Sequence, residues 1–350
     1  MSTGVRRTRR IWAAGTVAAV LVLVAAGLHV YRNTNVLTQD RLCGGLVSTA
    51  KADAVLPGSG RLDARGDGVA EDLGDTVCTV ERSSFLPGSG KGMLSVRLWE
   101  EDGDFPFVNS AWQDPSGATF FSGPVTGAVY ESVGWALLPE KCWTTKPVFV
   151  KVSPGKSASG AAALADLTTD VARAVADKAA CGDLPGEPGT LLPPRSDAAR
   201  PVSEGRACGL DGFSVRDHVP ADTEVLESGQ TAPADLWSCT LFLDNDSRDT
   251  VRAEGFMTYA ASRDPLLIAA VRRSPGASKG EAPGGGKADV VARTRIVLPC
   301  AQGALYLAAE PRAQYLEARK RKSGIPAWET YFGSFVKAAT KTFDCGTATH

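Results

Sequence analysis

The sequence predicts an α+β protein in which two similar domains follow a single N-terminal transmembrane helix. Three observations predict this architecture: an apolar segment near the N-terminus, a repeated cysteine pattern, and a proline-rich segment midway along the chain. The chain has 350 residues and is 43% hydrophobic. It is therefore long enough for two domains with separate cores.

The N-terminal region predicts a membrane anchor. Residues 1–10 carry four arginines and no acidic residue, and residues 11–30, IWAAGTVAAVLVLVAAGLHV, contain no charged residue. A helix of about 20 apolar residues crosses a bilayer, and arginines before the segment predict a cytoplasmic N-terminus. We therefore expect a single-pass protein of the cell membrane, with residues 31–350 extracytoplasmic. Cleavage as a signal peptide stays open, because VAAG at 24–27 offers small residues for a cut.

The cysteines agree with export into an oxidising compartment. All eight follow the apolar segment, and an even number is typical of a disulfide framework. Zinc sites need closely spaced ligands such as C-x-x-C, whereas neighbouring cysteines here are about thirty residues apart or more. We expect no metal and no cofactor.

The charge balance bears on possible partners. Without the four arginines of residues 1–10, the chain has 34 basic and 39 acidic residues. Proteins that bind nucleic acid usually present a basic face. The balance therefore predicts no nucleic-acid partner, whereas residues 11–30 predict contact with a membrane.

An internal repeat is the strongest pattern in the chain. The eight cysteines form two sets of four, separated by 35, 64 and 39 positions in the first set and by 31, 61 and 45 in the second. RLCGGL in the first set matches RACGLDG in the second, and DTVCTVE matches LWSCTLF. We therefore predict two domains of one kind, residues 31–181 and 206–350. Residues 182–205 contain five prolines and predict a semi-rigid linker.

Each copy predicts a helix, two strands, two further strands and a closing helix. In the first copy the strands are CTVERSSF, MLSVRLW, GAVYESVGWALLP and VFVKV, because their residues alternate or are β-branched. The closing helix places Leu164, Leu167, Val171 and Val175 on one face. Helices gathered on one face of an antiparallel four-stranded sheet give a two-layer domain.

The connectivity of the disulfides is not decided by spacing, because four cysteines allow three pairings. We predict that the first cysteine pairs with the second and the third with the fourth in each copy, since these links are local. Such bridges would be structural. The predicted pairs are Cys43–Cys78, Cys142–Cys181, Cys208–Cys239 and Cys300–Cys345.

One glycine-rich stretch, FLPGSGKGML at residues 85–94, invites a nucleotide-binding interpretation. A P-loop needs Gly-Lys-Ser/Thr, whereas Gly90 and Lys91 are followed by Gly92. A phosphate loop also precedes a helix, and this stretch lies between two predicted strands. We predict a hairpin turn and no nucleotide.

No catalytic residue is predicted. The three histidines are His29 in the apolar segment, His218 and His350, so the first copy, residues 31–181, contains no histidine. No G-x-S-x-G motif is present. A glycosidase with two dispersed carboxylates needs no local motif and stays open.

Aromatic residues of the first copy are the only candidates for ligand contact. They cluster around the loop before the third strand, where they either complete the core or line a groove. Trp112 is the candidate for an exposed contact. The cluster comprises Phe105, Phe107, Trp112, Phe120, Phe121, Trp135 and Trp143.

The cysteine contexts LCGGL, VCTVE, ACGLD and SCTLF, with the arginine-rich start and the Ala/Val-rich anchor, resemble uncharacterised membrane-anchored or exported proteins of high-GC actinobacteria. The resemblance implies small α+β ectodomains and does not point to any particular activity. We expect a non-enzymatic envelope protein that binds a cell-wall component or another membrane protein. The alternatives are an exported hydrolase with dispersed carboxylates and an accessory subunit of a membrane complex. Whether the two copies share one role stays open.

Overall fold

The protein is mixed α+β. The computed structural model describes residues 3–36, 38–66, 77–83, 92–102, 114–130, 132–155, 160–195, 198–216, 219, 223–230, 233–244, 255–321 and 324–345. Within these residues there are six helices, two antiparallel sheets of eight strands, and a small two-stranded sheet.

An apolar helix, α1 (Thr3–Asn33), begins the chain. Its segment Gly15–Asn33 has a mean hydropathy of 1.6 and is not buried against the rest of the protein. This helix is long and apolar enough to span a membrane, and a signal sequence near an N-terminus has the same character.

The residues at the end of α1 contact the first half of the protein. The ring of Tyr31 lies 4.3 Å from the guanidinium carbon of Arg61. The Asn35 side chain donates to the carboxylate of Asp53 at 2.9 Å and accepts from the backbone N–H of Leu62 at 2.8 Å. Side-chain contacts therefore join the end of this helix to the domain that follows.

The first half of the protein, residues 31–181, contains seven strands of one eight-stranded sheet, and β10 in residues 182–205 adds the eighth. Its elements are β1 (Arg41–Leu42), β2 (Val47–Ser48), α2 (Thr49–Val55), β3 (Arg61–Arg65), β4 (Val77–Ser83), β5 (Met93–Glu100), β6 (Thr119–Phe121), β7 (Thr126–Val129), β8 (Gly134–Leu137), β9 (Val148–Pro154), α3 (Ala161–Lys178) and β10 (Leu191–Leu192). The strand order is β10-β6-β7-β8-β9-β5-β4-β3.

The second half, residues 206–350, contains seven strands of the other sheet, and β11 in residues 182–205 adds the eighth. Its elements are β11 (Arg200–Pro201), β12 (Glu224–Gly229), β13 (Leu236–Asp244), β14 (Met257–Ser262), α4 (Pro265–Arg272), β15 (Ser278–Glu281), β16 (Lys287–Ala292), β17 (Arg295–Cys300), β18 (Gly303–Pro311), α5 (Ala313–Lys320) and α6 (Trp328–Thr342). The order is β11-β12-β13-β14-β18-β17-β16-β15. Seven strands of each sheet therefore follow one pattern: the first three in chain order, then the last four in reverse.

The predicted four-stranded sheets are wrong, because each sheet has eight strands. The predicted third strand of each copy is a hairpin, β7–β8 in the first half and β16–β17 in the second. In each half a further strand, β3 or β12, precedes the first predicted strand. A short strand, β6 or β15, lies between the second predicted strand and the hairpin. The predicted linker supplies the eighth: Leu191–Leu192 pairs with β6, and Arg200–Pro201 pairs with β12.

The closing helices cover one face of each sheet. On α3, the predicted apolar positions Leu164, Leu167, Val171 and Val175 are all fully buried. On α6, Phe335 packs between the rings of second-half aromatic residues. The amphipathic pattern therefore predicted the buried face of α3 correctly.

The other face of each sheet packs against the opposite half. Along β14, Tyr259 belongs to the core around α6, whereas the next residue, Ala260, belongs to the core of the first half. Ala308 on β18 joins the same cluster, together with Leu267 and Val271 of α4. Because side chains alternate along a strand, the two sheets face each other, with α3 and α6 on the outside.

Polar contacts also cross between the halves. Asp264 caps the N-terminus of α4 by accepting from the backbone N–H of Leu267 at 2.9 Å, and it accepts from the Thr126 hydroxyl at 2.7 Å. Gln230 donates to the backbone carbonyl of Ala118 at 2.9 Å. These groups are buried and paired.

Four disulfides brace the halves, and each lies within one half. They are Cys43–Cys78, Cys142–Cys181, Cys208–Cys239 and Cys300–Cys345, the same four pairs that the sequence predicted. In each half the first bridge holds the segment before the sheet to its second strand. The second bridge holds the chain after the closing helix close to the sheet.

Replacement of Gly134 by alanine is expected to destabilise the first half. A Cβ atom there would lie 2.1 Å from the Thr168 hydroxyl oxygen and 3.3 Å from Leu164 Cγ, so α3 would have to shift. We expect a loss of about 1–3 kcal/mol in the free energy of unfolding, measured by chemical denaturation. Gly117→Ala is the control, because nothing lies within 4 Å of its Cβ position. Equal stability of both variants would contradict this close helix–sheet contact.

Replacement of Asp264 by asparagine is expected to alter the pH dependence of stability. Burial raises the pKa of Asp264 above the usual 3.8, against the opposing effect of hydrogen bonds from Leu267 and Thr126. The folded protein therefore binds this proton more tightly than the unfolded chain does. The associated stability is fully present below pH 3.8 and is lost as the pH rises through the raised pKa. Hence the stability of Asp264→Asn relative to wild type should rise between acidic and neutral pH.

Asp289→Asn provides a comparison of opposite sign. Burial there is outweighed by hydrogen bonds from Lys279 and Arg272, which lower the pKa of Asp289. Its contribution to stability is present above the usual pKa and lost as the pH falls through the lowered one. The relative stability of this variant should therefore fall as the pH rises. Denaturation curves at several pH values distinguish the two trends, and the same trend in both variants would contradict the assigned directions.

Candidate functional site

A cleft of about 920 Å³ lies on the second half, between the turn that joins β15 to β16 and the helix α6. Its volume falls in the range of about 300–1,000 Å³ that is usual for ligand sites. It is lined by Ala282, Pro283, Gly284, Gly285, Gly286, Lys287, Leu298, Pro299, Gly333, Val336, Lys337, Thr340 and Cys345.

Glycines shape two walls of the cleft. Gly284, Gly285 and Gly286 have φ values of 90°, 92° and 97°, which favour glycine and let the hairpin turn tightly. Gly333 on α6 faces the turn, and a Cβ atom there would lie 3.8 Å from Pro283 Cβ. The absence of a side chain at this helical position keeps the space between the turn and the helix open.

The floor of the cleft is apolar and held rigidly. Leu298 on β17 is 7% exposed and Val336 on α6 is 4% exposed, and both belong to the core of the second half. The bridge Cys300–Cys345 links the end of β17 to the segment after α6. The strand and the helix on either side of the cleft are therefore joined covalently.

Two lysines lie at the rim of the cleft. Lys287 at the start of β16 and Lys337 on α6 are exposed and line the opening. None of the lining residues is acidic. An apolar floor below two ammonium groups suits a molecule with an apolar chain and an anionic group.

The lining carries little that could catalyse a reaction. Among the described residues, the lining contains no histidine and no carboxylate, and its one cysteine is in a disulfide. Its one hydroxyl, on Thr340, hydrogen bonds to the backbone carbonyl of Val336 at 2.9 Å.

The predicted aromatic contacts lie elsewhere. Phe120, Phe121 and Trp135 are fully buried, so these rings complete the core of the first half. Trp143 is 8% exposed, and its indole N–H donates to the backbone carbonyl of Leu138 at 2.7 Å. The remaining predicted positions lie outside the described residues: Phe105, Phe107, Trp112, His218, His350 and most of the glycine-rich stretch 85–94.

One buried cluster has the composition of a metal site. Cys208, Glu227 and Cys239 place one sulfur or oxygen atom each within 4.8 Å of one another. The two sulfurs are bonded to each other, however. Glu227 accepts from Arg200 at 2.8 Å and from the backbone N–H of Cys208. Its charge is therefore balanced within the protein, and the cluster is structural.

The cleft was not foreseen from the sequence. The signal available was GGGK at residues 284–287, three glycines and a lysine between two strands. That signal predicts a turn but gives no information on what packs beside it, because α6 begins about forty residues later. Only the tertiary fold brings Lys337 and Gly333 to the glycine turn.

Comparisons outside the chain give no guide to the role of this cleft. No protein-family model matches the sequence, and no match is found among curated proteins or solved structures. The chain's own residues are therefore the basis on which its function is proposed.

Proposed function

We propose that the chain is a non-enzymatic, membrane-anchored envelope protein whose second half binds an anionic amphiphile. The cleft between the glycine turn and α6 carries this proposal, because it combines an apolar floor with two lysines and no acidic residue. Its occupant is a molecule with an acyl chain and a carboxylate or phosphate group.

The proposed location rests on the N-terminal segment and on the disulfides. The segment Gly15–Asn33 would serve as the anchor, and the arginines of residues 1–10 favour a cytoplasmic N-terminus. Four disulfides suit an oxidising compartment beyond the membrane. An envelope location also agrees with the resemblance to exported actinobacterial proteins, which is part of this proposal.

The two halves are proposed to descend from one duplicated domain. In support, seven strands have the same order in both sheets, and the disulfides join equivalent elements. The halves differ at this turn, since its counterpart between β6 and β7, residues 122–125, contains one glycine, Gly123, and no lysine. The proposal therefore assigns the cleft to the second half alone.

The buried acidic residues support a non-enzymatic role over a hydrolase with dispersed carboxylates. Asp170 accepts from Arg41 at 2.9 Å and from Arg173 at 3.0 Å. These hydrogen bonds outweigh burial and lower the pKa of Asp170. Glu227 is paired with an arginine, and Asp264 caps a helix. None of the three lines the cleft.

The anchor is tested by the intact mass of the membrane-bound protein. We expect the protein to stay in membranes after an alkaline carbonate wash, with the mass of the full chain, 36.6 kDa. A smaller, soluble product that has lost residues 11–30 would contradict anchoring and identify the segment as a signal peptide.

The ligand is tested with a photoreactive analogue of myristate and the full-length protein in nanodiscs. We expect the label in peptides that cover residues 282–299 and 328–345. Gly333→Leu should abolish labelling at these peptides, because the new side chain enters the cleft from a helical position where leucine is favourable. Gly333→Ala is the matched control, which adds one methyl group and should reduce labelling far less.

Charge and the competing occupant are tested in the same assay. Lys287→Gln with Lys337→Gln should weaken labelling about tenfold, and an alkyltrimethylammonium competitor should have no effect. Residues 346–350 directly follow Cys345, so a chain ending at that residue tests whether they occupy the cleft. Labelling that ignores the lysines and Gly333, or that appears only after truncation, would overturn the proposal.

A further inference from the structure

One edge of the second sheet is open. The strand β15 is the last strand in the order of that sheet, so one of its two edges pairs with no described strand. Its four residues, Ser278–Glu281, are all exposed, and they lie within the continuously described segment 255–321. An open strand edge presents backbone N–H and C=O groups that can pair with another chain.

The first half shows that this position in the fold accepts a further strand. In the strand order that the two sheets share, β15 corresponds to β6. The strand β6 is covered by β10, in which Leu191 is opposite Phe121 and Leu192 is opposite Phe120. Among the described residues, the same edge is therefore paired in one half and open in the other.

Two residues of β15 direct their backbone groups toward the open edge. The N–H of Ala282 donates to the carbonyl of Gly286 at 3.0 Å, and this pair continues the register of β15 and β16. Hydrogen-bonded and non-hydrogen-bonded pairs alternate along an antiparallel ladder. Gly280 is therefore hydrogen bonded to β16, whereas Lys279 and Glu281 point their N–H and C=O groups away from β16.

The side chains of these two residues have opposite charges. Lys279 is opposite Asp289 on β16 and forms an ion pair with it, and Glu281 is opposite Lys287. Arg272 also pairs with Asp289 at 2.9 Å, so one carboxylate is shared by two cations. Glu281 forms no ion pair within the described part of the chain. The open edge therefore presents one positive and one negative side chain that can each take a further partner.

The edge is self-complementary about Gly280. If two copies pair antiparallel around a two-fold axis at this residue, Lys279 of each copy lies opposite Glu281 of the other. The outward N–H and C=O groups of both residues then meet, so these are hydrogen-bonded pairs. Each row across the four strands reads Asp289, Lys279, Glu281 and Lys287, with alternating charge. Opposite charges at directly opposed positions stabilise a sheet.

The charges select this register over its neighbours. The smallest shift that keeps the outward backbone groups in contact is two residues, because residues alternate in direction along a strand. Such a shift places Lys279 opposite Lys279 of the other copy, or Glu281 opposite Glu281. Like charges directly opposite each other are destabilising. Pro283 follows Ala282 and has no N–H, so it limits the length of the paired edge.

The other face of the edge has only small residues. Gly280 would lie opposite Gly280 of the second copy in a non-hydrogen-bonded pair, in which the Cα atoms are about 4.5 Å apart. A Cβ atom at Gly280 would lie 2.8 Å from Val290 Cγ2, so this position favours the absence of a side chain. In the same register Ser278 lies opposite Ala282. No bulky side chain on this face therefore obstructs a second copy.

We propose that β15 is a dimerisation edge, at which a second copy of this chain pairs antiparallel and joins the two second-half sheets into one. The contact is short, and interfaces of small area are weak. Anchoring of the chain in a membrane would raise the local concentration of copies and favour the contact. Of the residues Ser278–Ala282, Ala282 alone lines the cleft, so the dimer does not depend on the ligand proposed for it.

Carbodiimide coupling of the full-length protein in liposomes tests the contact directly, because it links a lysine to a carboxylate that touches it. Liposomes that contain a mixture of nitrogen-15-labelled and unlabelled protein distinguish links between copies from links within one copy. We expect peptides that join Lys279 of one isotope to Glu281 of the other. The link between Lys279 and Asp289 within one copy is the internal control, since this ion pair is present in each chain. Formation of the control link without mixed-isotope links would overturn the proposal.

Charge reversal tests the register. Lys279→Glu leaves two acidic residues at the edge and Glu281→Lys leaves two lysines, so neither variant should pair with itself. An equimolar mixture should pair, because each acidic residue then meets a lysine. Sedimentation velocity of the full-length protein in detergent micelles measures the fraction of dimer. We expect a dimer for wild type and for the mixture, and a monomer for each variant alone. Restoration by mixing also excludes misfolding as the cause of the loss.

Two controls separate this edge from other surfaces. Lys320→Glu makes the same charge change on α5 and should keep the dimer. Gly333→Leu should keep it as well, so a loss of labelling in the cleft and a loss of the dimer are distinguishable. Dimers that persist in both single variants, as association through α1 would give, would overturn the proposal. A mixture that stays monomeric would do the same.

Discussion

The packing of the two sheets against each other is the interaction on which the rest of the structure depends. A β-sheet with apolar side chains on both faces has to cover both. Here α3 and α6 cover one face of each sheet, and the opposite half covers the other. Ala260 and Ala308 are small and fully buried at this interface, which lets the sheets approach. Separated halves would expose a large apolar surface.

The same packing determines which surfaces stay open. The inner face of the second sheet is buried at Ala260 and Ala308, whereas Arg97 and Trp99 on β5 of the first sheet are exposed. The helices are displaced to the outside, so the side of α6 beside the glycine turn also remains accessible.

The sequence predicted the parts of this structure that depend on local pattern. Helical spacing identified the buried face of α3, and the preference for links that are local within each copy predicted the four bridges. From the sequence, the hairpins β7–β8 and β16–β17 are each predicted as a single strand. Neither turn contains the glycine, proline or asparagine that usually marks a turn. In the first of these turns, residues 130–133, Ser132 is the one residue of a type that favours turns.

Features that depend on contacts between distant segments could not be predicted in this way. The strands of the proline-rich segment are two residues long and carry no periodicity. The pairing of Arg97 with Lys151 joins residues that are 54 positions apart, and it becomes visible only once β5 and β9 are neighbours. The cleft likewise needs the glycine turn and α6 to be brought together.

The placement of the disulfides has a mechanical consequence. All eight cysteines are used in bridges within one half or the other, so only noncovalent contacts and residues 182–205 join the halves. Under a pulling force between the two ends of the chain, the sheet-to-sheet contact would separate before either bridged half unravelled. If β10 and β11 also detached from the sheets, the connecting segment, residues 182–205, would span about 80 Å. The chain would thus lengthen while the seven strands that the two sheets have in common stay folded in each half.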